Sequence, residues 1–159
     1  MAAAEFDDFY GEHFDRVARA LALAGADREL ARDATQEAFA RALRRWRHVK
    51  GMDRPDGWVY VVAMNQLRDH WRHREREHPG EPPAFDNSSG VATRLTVREA
   101  IATLPPRQRQ AVVLRYLADL PVRDVAQAMG CATGTVKAAL HQALRAMRVE
   151  LEEDDDADR

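Results

Sequence analysis

The sequence predicts an all-α protein of two small helical domains joined by a flexible linker, with a helix-turn-helix in the second. Three observations carry this. Apolar residues recur every three or four positions over most of the chain, the spacing of a single helix face. Ala, Arg and Leu are abundant and only 7% of residues are aromatic, a mixture that favours helix over sheet. One window, Pro79 to Thr93 (PGEPPAFDNSSGVAT), holds three prolines, two glycines, two serines and an asparagine. Proline removes backbone donors and glycine and serine add chain entropy, so no helix crosses this window and it reads as a linker. The division is a first domain over 1–78, a linker over 79–94, a second domain over 95–151 and an acidic tail over 152–159.

In the first domain, Phe6, Tyr10, His13, Val17 and Leu21 share one helix face, and Gly25 ends that helix. Asp27 caps a second helix, whose stripe is Ala38, Phe39, Ala42, Leu43 and Trp46. His48 to Gly57, with two glycines and Pro55, reads as a loop. A third helix runs from about Trp58 to Arg76, free of Gly and Pro. In the second domain a helix over Arg98–Thr103 precedes Leu104-Pro105-Pro106, where proline opens the next one. That helix, Gln108 to Leu117, turns Val112, Val113 and Tyr116 inward. Pro121 starts a short helix through Met129, closed by Gly130. Thr133 caps the last, with Val136, Leu140, Leu144, Met147 and Leu151 on one face. The tail, EEDDDAD, is low-complexity acid.

Composition excludes several classes. With Cys131 the one cysteine, neither an internal disulfide framework nor a multi-cysteine zinc site is possible. His70, His73 and His78 are flanked by arginines rather than further ligands, so no metal and no cofactor is expected. No apolar run approaches the ~18 residues of a membrane span, and the acidic start is no secretory signal, so a cytoplasmic protein without membrane insertion is expected. There is no Gly-rich phosphate loop and no catalytic triad or carboxylate pair in a pocket-like context, so an enzyme finds no support. The net charge of -2 hides segregation: residues 1–40 carry -5, 41–78 carry +5, 99–148 carry +4 and 149–159 carry -6. Two basic blocks flanked by acid suit either phosphate-facing surfaces or solvated, Arg-rich helix faces.

The strongest local signal is VRDVAQAMGCATGTVKAALHQAL, Val122 to Leu144. Ala126 is small where two helices must touch, and Gly130 tolerates the left-handed turn. Val125, Met129, Cys131, Val136 and Leu140 fill the apolar positions. A second helix docked in a major groove would then present Thr133, Thr135, Lys137, Ala138, His141 and Gln142 to base edges. In the first domain, Asp33, Gln36, Glu37, Ala40 and Arg44 fall at i, i+3, i+4, i+7 and i+11, a polar face suited to a basic partner helix or simply to water. In the third helix Asn65 can bond a base edge, with Arg68 and Arg72 on the same stripe to hold a backbone, and Trp58, Tyr60 and Trp71 are aromatic rings available for stacking. For Trp58 a core position is the stronger reading.

LPPRQRQAVVLRYLADLPVRDVAQAMGCATGTVKAALHQALRAMR resembles the promoter-binding fourth region of extracytoplasmic-function (ECF) sigma factors of the sigma-70 family. ARDATQEAFARALRRW is similar to the D-x-x-Q-E-x-F helix of their second region, and DGWVYVVAMNQLRDHWRHRERE to the helix that follows it. The likeness covers about residues 5–150 in the right order. It implies an alternative sigma factor, a non-enzymatic initiation subunit. Asp33, Gln36, Glu37 and Arg44 would bind the β′ clamp helices of core RNA polymerase. Lys50, Gly51, Met52 and Asp53 would form the base-selecting loop of the -10 element, with Asn65, Arg68, Trp71 and Arg72 on the helix behind it. Arg107, Thr133, Thr135, Lys137, Ala138, His141 and Gln142 would meet the -35 element. The β flap of polymerase, promoter DNA and an anti-sigma factor are the further partners implied. The chain departs from the family pattern at Ala138-Ala139, where Ser-Arg is frequent, at Gln142 and Met64, where Arg is, and at Pro121, where Ser is. The alternative is a conventional helix-turn-helix regulator acting without polymerase; it would need a dimerisation or ligand domain where this chain has the D-x-x-Q-E helix.

Overall fold

The computed structural model describes residues 2–80 and 97–157, with side chains through residue 148, and every regular element among them is helical. The predicted linker, apart from Pro79 and Gly80, and the side chain of Leu151 lie outside the described residues. The first cluster comprises α1 (Ala2–Leu23), α2 (Arg28–Arg44), the single turn α3 (Trp46–Val49) and α4 (Pro55–Glu77). The second comprises α5 (Val97–Thr103), α6 (Pro106–Val112), a π-helical turn over Val113–Leu117, α7 (Val122–Met129) and α8 (Thr133–Ala157). The fold class is the one the sequence predicts: all-α, in two helix clusters.

Local chemistry sets the boundaries. Gly25 takes φ 122° after α1, and Asp27 caps α2 by accepting from the Leu30 N–H at 2.8 Å. Pro55 opens α4, so the predicted loop His48–Gly57 contracts: its start is the α3 turn and its end is helix. Gly130 closes α7 at φ 66°, ψ 38°. The α8 cap is Ala132, not Thr133: the Ala132 carbonyl accepts from the N–H groups of Thr135 (3.0 Å) and Val136 (3.2 Å), placing Thr133 inside the helix.

The core of the first cluster is an aromatic cage. Phe39 meets Phe6 edge-on at 6.4 Å, Phe14 at 5.7 Å and Tyr10 at 5.1 Å, while Phe6 meets Trp46 edge-on at 5.3 Å. Helix α4 is buried on two sides, against α1 and α2 on one and α7 on the other. That is why Tyr60 and Met64 are buried along with Val59, Ala63 and Leu67. Met64, a departure from the family pattern, is a core residue with 0% exposure.

Three apolar stripes need correction. Leu43 is 52% exposed, because α2 has turned it past the cage by the time Trp46 enters. Tyr116 and Leu117 are each 51% exposed, because the π turn adds a residue to the repeat and swings both off the face that buries Val112 and Val113. In α8 the inward positions are Val136, Ala139, Leu140, Ala143 and Met147, and Leu144 is 45% exposed. The buried side chains of both clusters meet in one contiguous core.

Candidate polymerase and nucleic-acid interfaces

Three surfaces follow from this packing. On α2, Asp33 and Gln36 are exposed and Glu37 is half-buried. Gln36 accepts from the Tyr10 hydroxyl at 3.1 Å, and Glu37 pairs with Arg41 at 3.1 Å and Arg44 at 3.6 Å. Among the described residues Asp33 has no polar partner and Arg44 remains exposed. The D-x-x-Q-E face is therefore presented to the outside while Ala34, Ala38 and Ala42 pack behind it. At the end of this face opens a groove of about 450 Å³, lined by Ala2, Ala3, Leu43, Arg44, Trp46 and His48 among others. The buried Trp46 indole N–H has no partner there among the described residues. Sequence reading missed this groove, since it assigned Leu43 to the core.

The second surface is the loop 50–54 with α4. Lys50 is exposed and pairs with Glu5 at 3.2 Å; Gly51 and Asp53 are exposed and Met52 half-buried. Asn65 and Arg68 come together as the i, i+3 spacing predicts, Arg68 Nη2 donating to Asn65 Oδ1 at 3.0 Å. Arg72 is exposed and bound to Asp69 one turn back. Trp71 and Trp58 are half-buried against the core, as expected for Trp58. Tyr60 is 5% exposed, so its ring cannot stack on a base, and burial pushes its phenol above the usual range.

Arg54, which the sequence did not single out, stands at the head of α4. It donates to Asp56 Oδ2 at 2.8 Å, to the Ala118 carbonyl at 3.0 Å and to the Asp119 carbonyl. The Asp56 hydrogen bond holds it protonated more firmly than an ordinary arginine.

The third surface is the helix-turn-helix. Thr133, Lys137, Ala138, His141 and Gln142 are exposed and Thr135 half-buried, so the first turns of α8 face outward together. Gln142 accepts from Gln108 at 3.3 Å, which ties α8 to α6, and Arg107 is exposed nearby in chain order. Ala139 is 7% exposed, so the departure at that position is a packing choice, not a missing contact. Two residues beyond Arg107, Arg109 turns inward and donates to the carbonyls of Leu104 (3.3 Å) and Ala102, clamping the end of α5. Burial lowers its pKa, and those carbonyl contacts offset part of the desolvation cost. The alternating Arg107-x-Arg109 spacing is the sequence signal for one outward and one inward side chain.

The chain matches Sigma-70 region 2 over residues 9–77 and Sigma-70 region 4 over residues 94–147. The RNA polymerase sigma-E factor of Streptomyces coelicolor is 31% identical over 92% of this chain and 86% of its own. This chain is an ECF-type sigma factor of the sigma-70 family. The sigma-E factor of Streptomyces avermitilis is 32% identical over 95% of this chain and 87% of its own. Among solved structures, the sigma factor RpoE of Bartonella quintana, in complex with the anti-sigma factor NepR, has a similar fold, with a TM-score of 0.72 at 20% identity over 95% of this chain and 98% of that one. CnrH in complex with the cytosolic domain of CnrY gives a TM-score of 0.58 at 18% identity, over 94% and 88%. As a member of this family the sigma factor acts with RNA polymerase in transcription initiation and carries no catalytic chemistry of its own. Among the described residues no helix is long and apolar enough to cross a membrane.

Proposed function

We propose that this sigma factor docks on the β′ clamp helices of core polymerase through Asp33, Gln36, Glu37 and Arg44, with the Leu43–Trp46 groove completing the same contact. The apolar lining of the groove suits a partner helix with an apolar anchor. The loop Lys50–Asp53 and the Asn65, Arg68, Trp71 and Arg72 side of α4 read the opened -10 element. Asn65 supplies a hydrogen-bonding amide for an unstacked base and the arginines supply cations for its backbone.

The first turns of α8, with Arg107, read the -35 element in the major groove, and the second cluster also meets the β flap. The protein works in the cytoplasm, where its polymerase and promoter are, and an anti-sigma factor restrains it; the Bartonella quintana sigma factor RpoE, similar in fold, is found in complex with the anti-sigma factor NepR. The carrying observation is that Thr133, Lys137, Ala138, His141 and Gln142 face outward together from a helix whose opposite face is core. The test is transcription with purified core polymerase on a library of promoter fragments. Transcripts initiated at a common bipartite motif are expected, and loss of the upstream half of that motif on substituting Lys137 and His141 by Ala. Duplex binding that needs no polymerase and yields no transcript would support a conventional regulator instead.

A further inference from the structure

The loop before α4 leaves α3 as a continued turn. The N–H groups of Lys50, Gly51 and Met52 reach the carbonyls of Trp46 (2.8 Å), His48 (3.3 Å) and Val49 (3.1 Å). Those bonds join residues three or four apart, so they shape the turn without fixing its place on the molecule. Among the described residues, the side-chain polar contact of 50–53 with another element is a single ion pair. Lys50 Nζ lies 3.2 Å from Glu5 Oε2, 45 positions away in the chain.

Glu5, which no motif marks, stands on a firm base. It lies in the first turn of α1, and its neighbour Phe6 is buried, with its ring 5.3 Å from Trp46 and 6.4 Å from Phe39. Phe9, less than a turn further on, meets Trp46 at 5.1 Å. Trp46 begins α3, from which the loop departs. The rings thus seat the start of α1 against the root of the loop, and the Glu5 carboxylate reaches the Lys50 ammonium from there. The two side chains are 57% and 43% exposed, and an ion pair so exposed contributes little to stability. Its effect is on geometry and charge: it selects one position for a turn that its own backbone bonds leave free, and it lowers the charge that Lys50 offers to a phosphate.

We propose that Glu5 is a positioning residue for promoter reading. Its carboxylate anchors Lys50, so that the loop presents Gly51, Met52 and Asp53 to the -10 element in one arrangement. Lys50 is then the anchor of the loop and not a phosphate contact. This rests on the reading of Lys50–Asp53 as the -10 loop.

The test uses the full chain, free and in holoenzyme, with two variants. Glu5→Gln removes the charge at nearly the same size. The exchanged pair, Glu5→Lys with Lys50→Glu, restores the ion pair with its signs reversed. Glu and Gln have similar helix propensity, so α1 keeps its fold, as circular dichroism would check. In the free chain, NMR relaxation of the Gly51 and Asp53 amides should show order parameters falling from about 0.85 toward about 0.6 with Glu5→Gln, and recovering in the exchanged pair. In holoenzyme, transcription from templates substituted at each -10 position reads base preference. Discrimination should fall about two- to fivefold with Glu5→Gln, the range an exposed ion pair can impose, and recover in the exchanged pair. Relaxed preference that the exchanged pair fails to recover would mean that Lys50 itself touches DNA, and would overturn its role as anchor. Relaxed preference with unchanged loop order would overturn positioning, since the carboxylate would then act on DNA directly. If Glu5→Gln leaves base preference intact, Asp53→Ala decides what has failed. A shift in preference there would overturn the role of Glu5 and leave the -10 loop in place, whereas no shift would overturn the reading of the loop itself.

Discussion

The two surfaces read as promoter-facing are in opposite states. On α8 the residues that would meet DNA point outward, and among the described residues only Gln142 has a polar partner within the chain, Gln108. On α4 the corresponding residues are already engaged: Asn65 with Arg68, Arg68 beneath Gly130, and Arg72 with Asp69. The difference follows from packing. Helix α8 buries one side and leaves the other bare, whereas α4 is flanked by its own cluster and by α7. A polar face can thus be complete in its residues and yet be engaged within the chain, and its contacts rather than its composition tell the two apart.

The clusters also differ in what holds them. The close ring contacts among the described residues lie between Phe6 and Trp46 in the first, while the second packs Ala, Val, Leu and Met. Phe39→Ala is expected to have the largest effect of any single change proposed here, about 3–5 kcal/mol of stability, since it empties the centre of the cage. That is a large share of the ~5–15 kcal/mol typical of a native protein. Leu43→Ala, four residues away but exposed, should stay within about 0.5 kcal/mol. Urea denaturation of the two variants checks this; equal losses would mean that Leu43 belongs to the core after all.

Polymerase binding gives the next largest effect. Replacing Asp33, Gln36 and Glu37 together by Ala should leave stability nearly unchanged, because the Glu37 pairs are half-exposed ion pairs worth little and Ala favours helix. Affinity for core polymerase should fall about ten- to a hundredfold as charge-assisted contacts are lost. Titration of labelled sigma factor with core polymerase measures it, and unchanged affinity would move the docking surface off this face. Leu43→Ala, silent in denaturation, should also weaken this binding if the groove is part of it.

Much of this was legible in the sequence. The helices, the Asp27 cap, the Gly130 turn and the D-x-x-Q-E face depend on local chemistry, which neighbouring residues specify. What was not legible depended on distant parts of the chain. Tyr60 and Met64 look like surface residues of one amphipathic helix until packing on more than one side of α4 buries them. Tyr116 and Leu144 look like core until the π turn and the seating of α8 rotate them outward. Arg54 carries no motif at all; it matters because the backbone of residues 118 and 119 arrives beside it.

Asn65→Ala sharpens the comparison at the -10 surface. In the assembled initiation complex it should relax base preference at one promoter position, a loss of about 1–3 kcal/mol in discrimination. In the free chain, binding to duplex -35 DNA should not change, because α8 is untouched. Promoter-opening assays on position-substituted templates separate the two. Retention of full base preference would place the pocket elsewhere.

The smallest effect compares one cation from each surface. Lys137 is exposed on α8 and has no ion-pair partner among the described residues, whereas Arg72 on α4 is bound to Asp69. A phosphate contact releases condensed counterions, so removing one lowers the slope of log affinity against log salt by about one. In the free chain Lys137→Ala should show that drop on -35 duplex DNA, and Arg72→Ala should show almost none, since it stands on the other cluster and its charge is partly neutralised by Asp69. In holoenzyme on a full promoter both should show it, Arg72 less by the cost of leaving Asp69. Salt titrations of the two variants, free and in holoenzyme, give four slopes. Equal slopes for Lys137→Ala and Arg72→Ala in the free chain would mean that both surfaces are open, and the contrast between α4 and α8 would fail.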